Sequence, residues 1–224
     1  WDSTWESEYR EVHQKAAVLY RKQARFQLIT TGKISQKQLL FEDQHLERLT
    51  KASRYFAFPF DPEELRQKIE EECQACDSHQ DYRLRITLSK SGEIELSRQI
   101  LTPLSPSFCK AKLCLQETDL NQSFTYFKTT NRPHLSLGEQ EIIYHNAAGE
   151  LLETSIGNLV LKINGKLYTP PTSQGILPGI YRQHLLETEQ VEEKVLTVPD
   201  LDQAEAVYGC NAVRELYELQ VIVL

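Results

Sequence analysis

One residue type in this 224-residue chain that could do covalent chemistry is lysine, and Lys128 follows an aromatic stretch of the sequence. A lysine amine can act as a nucleophile and as a carrier of protons. Glu153 lies just before a Gly-Asn turn, and Gly175 and Gly179 come just before a predicted helix, whose free N–H groups can hold a phosphate. Each feature also has an ordinary structural interpretation: a solvated lysine, an acid in a turn and a well-capped helix.

Neither the cysteines nor the common catalytic motifs predict another kind of site. Cys73 and Cys76 have the spacing of half a zinc site, but no second Cys or His pair follows at a suitable distance. Cysteines three residues apart on a helix share one face, so we interpret both as structural and expect no metal. The motifs GxSxG, GxGxxG and the P-loop do not occur. The sequence therefore gives no support to a serine hydrolase or a nucleoside-triphosphate enzyme.

The composition is that of a globular, acidic protein. Lys and Arg number 25 against 32 Asp and Glu, which gives a net charge of −7. Proteins that bind nucleic acids or anionic membranes need a basic surface, so we expect neither kind of partner. No apolar run approaches the roughly 18 residues of a membrane span. The five cysteines, an odd number at irregular spacing, indicate free thiols in a reducing compartment, and we expect a cytoplasmic protein.

Periodicity, capping residues and turn residues predict the elements that position these side chains. Helices are predicted over residues 1–22, 41–56, 61–76, 180–186 and 202–207. Strands are predicted over residues 26–30, 82–88, 94–96, 110–115, 141–145, 159–163 and 167–169. The helix over 41–56 places Leu46, Leu49, Ala52 and Tyr55 on one face. Tight turns are predicted at residues 32–33, 91–92 and 164–165.

This order of elements predicts an α+β protein with two lobes, of which the second is richer in strands. An N-terminal helical tail or linker would occupy residues 1–22 and a small α+β lobe residues 23–120. A larger lobe would occupy residues 121–224, which contain both Lys128 and Glu153.

Four segments in a fixed order carry a family resemblance. They are KTTNR at 128–132, ETSIGNL at 153–159, KLYTPP at 166–171 and LPGIYRQ at 177–183. Over residues 24–224 the chain resembles the class IV (fold type IV) pyridoxal-phosphate enzymes, and KTTNR and YTPP are most similar to the 4-amino-4-deoxychorismate lyases. The resemblance implies a two-lobed fold like that of D-amino-acid aminotransferase, pyridoxal 5'-phosphate as cofactor, cofactor binding in the larger lobe and a homodimer.

The resemblance also implies roles for individual residues. Lys128 would bond covalently to the cofactor and then act as base and acid, and Glu153 would pair with the pyridine nitrogen. Arg48 would hold the phosphate with its guanidinium fork. The remaining phosphate contacts would come from backbone groups of Ile180 and Tyr181 and from the turn that contains Asn211 and Ala212.

For the residues that contact the substrate, and for the reaction itself, more than one interpretation is open. Thr31 aligns with a threonine in the first strand of the family and could face the substrate. Arg83 or Arg85 could meet a carboxylate, although both could equally be solvated strand residues. We interpret Asn131 and Arg132 as scaffold and wall of the pocket and not as catalysts. A lyase would convert aminodeoxychorismate into 4-aminobenzoate and pyruvate for folate biosynthesis. A class IV aminotransferase would act on branched-chain or D-amino acids and would share Lys128 and Glu153. A third possibility, a module that only binds a synthase, is disfavoured because both residues are present.

Other segments suggest that the natural chain is longer. Residues 1–16 resemble the tail of the chorismate-binding component of aminodeoxychorismate synthase, so we expect a fusion to that component, or a synthase partner. Relatives have a long helix where this chain has only residues 133–140. They also have several more residues between the positions that correspond to Thr31 and Gly32. The chain also contains no Met. We therefore expect that methionines and loop residues are missing from this sequence at those two places.

Overall fold

A computed structural model describes residues 4, 5, 8, 9, 25–116, 123–132, 135 and 138–222. The predicted helix over residues 1–22 and the predicted lobe boundary at residue 120 lie almost wholly outside these residues. The described chain mixes helices and sheets, as the sequence predicted.

A first sheet carries two helices on one face. Its strands are β1 (Leu28–Ser35), β2 (Gln38–Leu39), β3 (Tyr82–Leu88) and β4 (Ile94–Ile100), in the order β2-β1-β3-β4. The helices are α1 (Glu42–Phe56) and α2 (Pro62–Gln74). Asp61 caps α2, because its carboxylate accepts the N–H groups of Glu63 and Glu64. The core between sheet and helices contains Leu28, Ile34, Leu49, Leu65 and Ile69, each at most 1% exposed.

One prediction in this sheet is wrong, the tight turn at residues 32–33. The turn lies at Gln36 and Lys37, which both have positive φ (49° and 62°), and Gly32 lies within β1 opposite Leu84. Glycine suits that strand position because a Cβ there would approach Nε2 of His45 to 2.6 Å. The expectation that residues are missing after Thr31 and after residue 132 stays a prediction.

The predicted buried face of α1 needs one correction. Leu46, Leu49 and Ala52 are buried as predicted, but Tyr55 is 60% exposed. Tyr55 stacks on Phe127 with 4.6 Å between ring centroids, so it covers the segment before Lys128 and does not enter the core.

A second, larger sheet follows in the chain. Its strands are β5 (Lys110–Leu115), β6 (Ile142–His145), β7 (Leu151–Thr154), β8 (Asn158–Ile163), β9 (Lys166–Thr169), β10 (Glu192–Glu193), β11 (Ala206–Asn211) and β12 (Glu215–Val221). They lie in the order β10-β9-β8-β11-β12-β5-β6-β7, and a further pairing of β7 with β8 closes six strands into a ring. The helices of this part are α3 (Ser123–Tyr126), α4 (Ile180–Glu187) and α5 (Val198–Gln203), with a 3-10 turn at Thr172–Gln174.

Several predictions differ in this second part. β7 was not predicted, and the helix predicted over 202–207 lies earlier, at Val198–Gln203, where the Asp200 carboxylate accepts the Thr197 N–H at 2.7 Å. β5 belongs to the second sheet, so the change of sheet falls between Ile100 and Lys110. The division into lobes at residue 120 stays a prediction.

Candidate active site

A cavity of about 600 Å³ lies between the two sheets. Its lining includes nine of the ten residues that the sequence singled out: Thr31, Arg48, Arg83, Arg85, Lys128, Glu153, Ile180, Asn211 and Ala212. The tenth, Tyr181, is not part of the described lining; its ring packs against Phe41 and His184, with centroids 5.9 and 5.8 Å away.

Lys128 is held in the cavity by backbone pairing with the start of β1. Its carbonyl accepts the Ile29 N–H at 3.0 Å, and the Thr130 N–H donates to the Gln27 carbonyl at 2.9 Å. Burial, followed by the charges of four nearby guanidinium groups, lowers the pKa of Lys128 to about 7; these groups are those of Arg48, Arg132, Arg83 and Arg85. A neutral amine is therefore accessible near neutral pH.

Glu153 is a buried carboxylate at the wall of the cavity. It lies on β7 and is 2% exposed. Its Oε1 accepts from Arg132 Nη2 at 2.8 Å, and its Oε2 accepts the Leu177 N–H at 3.4 Å. Burial raises the pKa of Glu153, and the charge of Arg132 is the largest influence in the opposite direction.

Arg48 on α1 reaches across to the start of α4. Its Nη2 donates to the Pro178 carbonyl at 2.6 Å, and burial lowers its pKa to about 10. Gly179 caps α4 without a side-chain hydrogen bond, so the first N–H groups of this helix are not taken by a capping side chain. A Cβ at Gly179 would overlap Oδ1 of Asn158, whose Nδ2 donates to the Leu177 carbonyl at 2.8 Å. The helix start is thus fixed by close packing.

His45 lies one turn before Arg48 on the same helix and is fully buried. Its Nδ1 is 2.6 Å from Thr30 Oγ1, while its Nε2 has no hydrogen-bond partner. Burial, followed by the charges of Arg48 and Lys128, lowers the pKa of His45 to about 3. The imidazole is therefore neutral at physiological pH and adds no charge beside Lys128.

The turn after β11 is ordered by the side chain of Asn211. Its Oδ1 accepts the N–H groups of Val213 and Arg214, both at 2.9 Å, and its Nδ2 donates to the Ile156 carbonyl at 3.3 Å. The amide is thus occupied with shaping the turn, and any contact with a ligand here falls to the main chain and to Ala212.

Thr31, Arg83 and Arg85 share the cavity-facing side of the first sheet. Thr31 pairs directly with Arg85, and Arg83 lies two residues away on the same strand, so their side chains share one face. Partial burial and the nearby charge of Arg85 lower the pKa of Arg83. Both arginines are half-buried and line the cavity, and whether they meet a carboxylate or are solvated strand residues stays a prediction.

The sequence profile of the family described as amino-transferase class IV matches residues 27–222. The chain belongs to this family. A provisionally named amino-acid aminotransferase from Mesorhizobium loti is 27% identical, with a TM-score of 0.77 over 88% of this chain and 100% of that one. A provisionally named aminodeoxychorismate lyase from Schizosaccharomyces pombe is 23% identical over 200 residues, which cover 80% of this chain and 83% of that protein.

Class IV aminotransferases are pyridoxal-phosphate enzymes, which confirms the expected fold type IV and the expected cofactor. A hypothetical aminotransferase from Mycobacterium tuberculosis, solved in a pyridoxal-phosphate-bound form, has the same fold at 17% identity. Its TM-score is 0.73, with 92% of this chain and 83% of that one covered.

In this member of the class IV family, sequence reasoning missed a network of hydrogen bonds beside the cavity. Glu141 is fully buried; its Oε1 accepts the Ser155 N–H at 2.9 Å and the Ser155 hydroxyl, and its Oε2 accepts the Tyr217 hydroxyl at 2.9 Å. Burial and Glu141 raise the pKa of Tyr217 well above its usual value. The network fixes the loop between β7 and β8 that follows Glu153. An acid before a strand was the only signal for it in the sequence.

Arg132 and Arg214 were also missed as functional candidates. Arg132, the last residue of the KTTNR segment, lines the cavity and in addition pairs with Glu153. Arg214 lines the cavity from the turn between β11 and β12, and its Nη1 donates to the Thr102 carbonyl. Arg214 belongs to none of the family segments, and only the folded chain shows the contact of Arg132 with Glu153.

The remaining features are structural. All five cysteines are free, and Cys73 and Cys76 are buried in the core of the first sheet. Within the described ranges, no group of three or more Cys, His, Asp or Glu is arranged to hold a metal ion. None of the described helices is long and apolar enough to cross a membrane.

Proposed function

We propose that this class IV enzyme is a lyase that converts 4-amino-4-deoxychorismate into 4-aminobenzoate and pyruvate, a step of folate biosynthesis. The observation that carries the proposal is the charge of the cavity. Its described lining has one carboxylate, Glu153, against one lysine and five arginines: Arg48, Arg83, Arg85, Arg132 and Arg214. The cofactor phosphate and the two carboxylates of this substrate would together balance such a surplus, because guanidinium groups bind both kinds of anion well.

The cavity residues fit pyridoxal phosphate. Arg48 and the uncapped N–H groups of Ile180 and Tyr181 would hold the phosphate, with the ordered turn at Ala212 beside them. Lys128, with its pKa lowered to about 7, offers the amine that bonds to the cofactor. The buried carboxylate of Glu153 offers an acceptor for a protonated pyridine nitrogen.

When bound, pyridoxal phosphate supplies a ring that accepts electron density from the carbon bearing the substrate amine. The neutral Lys128 amine would take the proton from that carbon and return a proton later. Glu153 would hold the proton on the ring nitrogen. Loss of the enolpyruvyl group as pyruvate then leaves an aromatic product, which drives the lyase reaction.

The substrate carboxylates would bind on the side of the first sheet. Arg83 and Arg85 present two guanidinium groups on one face, and the Thr31 hydroxyl on the neighbouring strand is a further donor. Arg214 enters from the opposite sheet. A ligand with two carboxylates could contact both sides of the cavity.

The alternative is a class IV aminotransferase acting on branched-chain or D-amino acids. Ile29, Leu104, Phe108 and Leu135 line part of the cavity and could receive an apolar side chain. The M. loti relative is named as an amino-acid aminotransferase. This activity would use the same Lys128 and Glu153 but would release a keto acid and need only one carboxylate contact.

We also propose that the enzyme is a cytoplasmic homodimer and works with, or fused to, a chorismate-binding synthase component. The family resemblance supports the dimer, and the resemblance of residues 1–16 supports the synthase component. Light scattering of the purified chain would test the dimer, since a monomer at micromolar concentration would contradict it.

The decisive assay supplies aminodeoxychorismate to the holoenzyme and measures 4-aminobenzoate and pyruvate together. The lyase predicts both products in equal amounts, and Lys128→Ala should abolish both while the exposed Lys110→Ala retains them. Absence of pyruvate, together with amino transfer from an amino acid to a keto acid, would overturn the proposal in favour of the aminotransferase.

A further inference from the structure

Arg132 makes a close and enclosed contact with Glu153. The guanidinium Nη2 and the carboxylate Oε1 are 2.8 Å apart, and the two side chains are 13% and 3% exposed. The second carboxylate oxygen accepts the Leu177 N–H at 3.4 Å. Glu153 is therefore held from both sides by donors that belong to the chain itself.

The two donors differ in what they do to the proton affinity of the carboxylate. Burial alone raises the pKa of Glu153, which favours its neutral form. Arg132 acts against burial both through its charge and through its hydrogen bond, and it is the strongest of the opposing groups. The Leu177 N–H and the more distant Lys128 act in the same direction.

Arg132 has no described hydrogen bond that would compete with this contact. Its Nε is buried without a hydrogen-bond partner, and its only described ion pair is with Glu153. It approaches the carboxylate from the loop that follows Lys128, four residues further along the chain. Residues 128–132 thus supply both the Lys128 amine and the counter-ion of Glu153.

We propose that Arg132 is a positioning residue that keeps the Glu153 carboxylate anionic, so that a proton shared between Glu153 and the cofactor ring resides on the ring nitrogen. The inference rests on the proposed role of Glu153 but does not depend on whether the enzyme is a lyase or an aminotransferase. A guanidinium in direct contact with the carboxylate stabilises its anion more than it repels a cation farther away. Loss of Arg132 would therefore move the shared proton from nitrogen to oxygen.

The experiment follows the ring nitrogen itself. Holoenzyme is prepared with pyridoxal phosphate isotopically labelled at that atom, and its chemical shift is recorded by nuclear magnetic resonance at neutral pH without substrate. In the wild type the shift should be that of a protonated nitrogen. In Arg132→Met it should move toward the unprotonated value, whereas Arg132→Lys, which retains the charge, should stay close to the wild type.

Two further variants separate this effect from a general loss of structure. Arg98→Met removes an arginine that pairs with Glu72 at 2.9 Å away from the cavity, and the nitrogen shift should not change. In a Glu153→Gln background, Arg132→Met should cause no further change, because no carboxylate is left to receive the proton.

The outcomes are distinct. A protonated nitrogen in Arg132→Met, unchanged from the wild type, would overturn the inference about Arg132 alone. A wild-type nitrogen that is unprotonated, or insensitive to Glu153→Gln, would overturn the proposed role of Glu153. Neither result bears on which products the enzyme forms.

Discussion

Replacement of Arg48 by Gln should raise the pKa of Lys128 and slow the reaction of its amine with an aldehyde at neutral pH. Burial, and next the charge of Arg48, lowers the pKa of Lys128 from 10.5 to about 7. About half of these amines are then neutral at pH 7, against roughly one in 3000 for an unperturbed lysine. The first unit by which the variant raises the pKa would reduce the neutral fraction from about a half to about a tenth.

The assay must separate this electrostatic effect from the phosphate contact that Arg48 is proposed to make. Apoenzyme is therefore mixed with pyridoxal, which has no phosphate, and the rate of the absorbance change is measured against pH. The wild type should reach half of its maximal rate near pH 7, because only the neutral amine reacts. Arg48→Gln should reach it at a higher pH.

Two controls make the result interpretable. Lys128→Ala should lose the reaction, which assigns the signal to this amine. Arg54→Gln, at an exposed position on the same helix, should titrate like the wild type. A wild-type midpoint above about pH 9, close to that of an ordinary lysine, would refute the reasoning, and so would an Arg48→Gln profile superimposable on the wild type.

Three other substitutions test the site and its supports. Gly179→Ala should weaken pyridoxal-phosphate binding and cost about 1–3 kcal/mol of unfolding free energy, since its Cβ would overlap a neighbouring side-chain oxygen. Calorimetry should show no such loss for Gly138→Ala, where the nearest atom would be 3.9 Å from the added Cβ. His45 has a folded pKa of about 3, below its usual 6.5, so the unfolded chain binds the extra proton and stability should fall as the pH drops below 6.5. In urea titrations of the apoprotein, the unfolding free energy should fall by about 1.4 kcal/mol per pH unit in this range. His45→Gln should lose this pH dependence, whereas the exposed His79→Gln should keep it. Equal slopes of free energy against pH in the two variants would contradict the prediction. Glu153→Gln should retain cofactor absorbance yet turn over far more slowly, because an unprotonated ring is a poorer electron acceptor; unchanged kcat would disprove that role.

Local patterns predicted the first sheet and its helices well. The 3.6-residue period of α1 and the Asp-Pro start of α2 are strong local signals, and the alternation in β3 reflects one face turned to the core. The turn at Gln36 and Lys37 could not be predicted, because neither residue is a usual turn former. The pairing of β1 with β3 along its whole length sets that register instead.

In the second sheet, β7 was missed for a different reason. All four of its residues are buried, so no alternation of apolar and polar residues marks it as a strand. For the site, the family resemblance indicated nine of the cavity residues. Arg214 was not indicated, because its position depends on a turn ordered by Asn211. The contact of Arg132 with Glu153 was not indicated either, because it joins residues from two elements.

The place of β12 in the second sheet has a consequence for synthesis on the ribosome. β12 lies between β5 and β11, with β5 beside it in parallel, although β5 is translated long before it. Until Glu215–Val221 has emerged, β5 and β11 each expose an unpaired edge, and such edges promote association between nascent chains. The strands that carry Glu153 and Asn158 emerge earlier, so the ring around them closes only when β12 is added. A polysome translating this message should therefore hold chains that need protection by chaperones until that strand is complete.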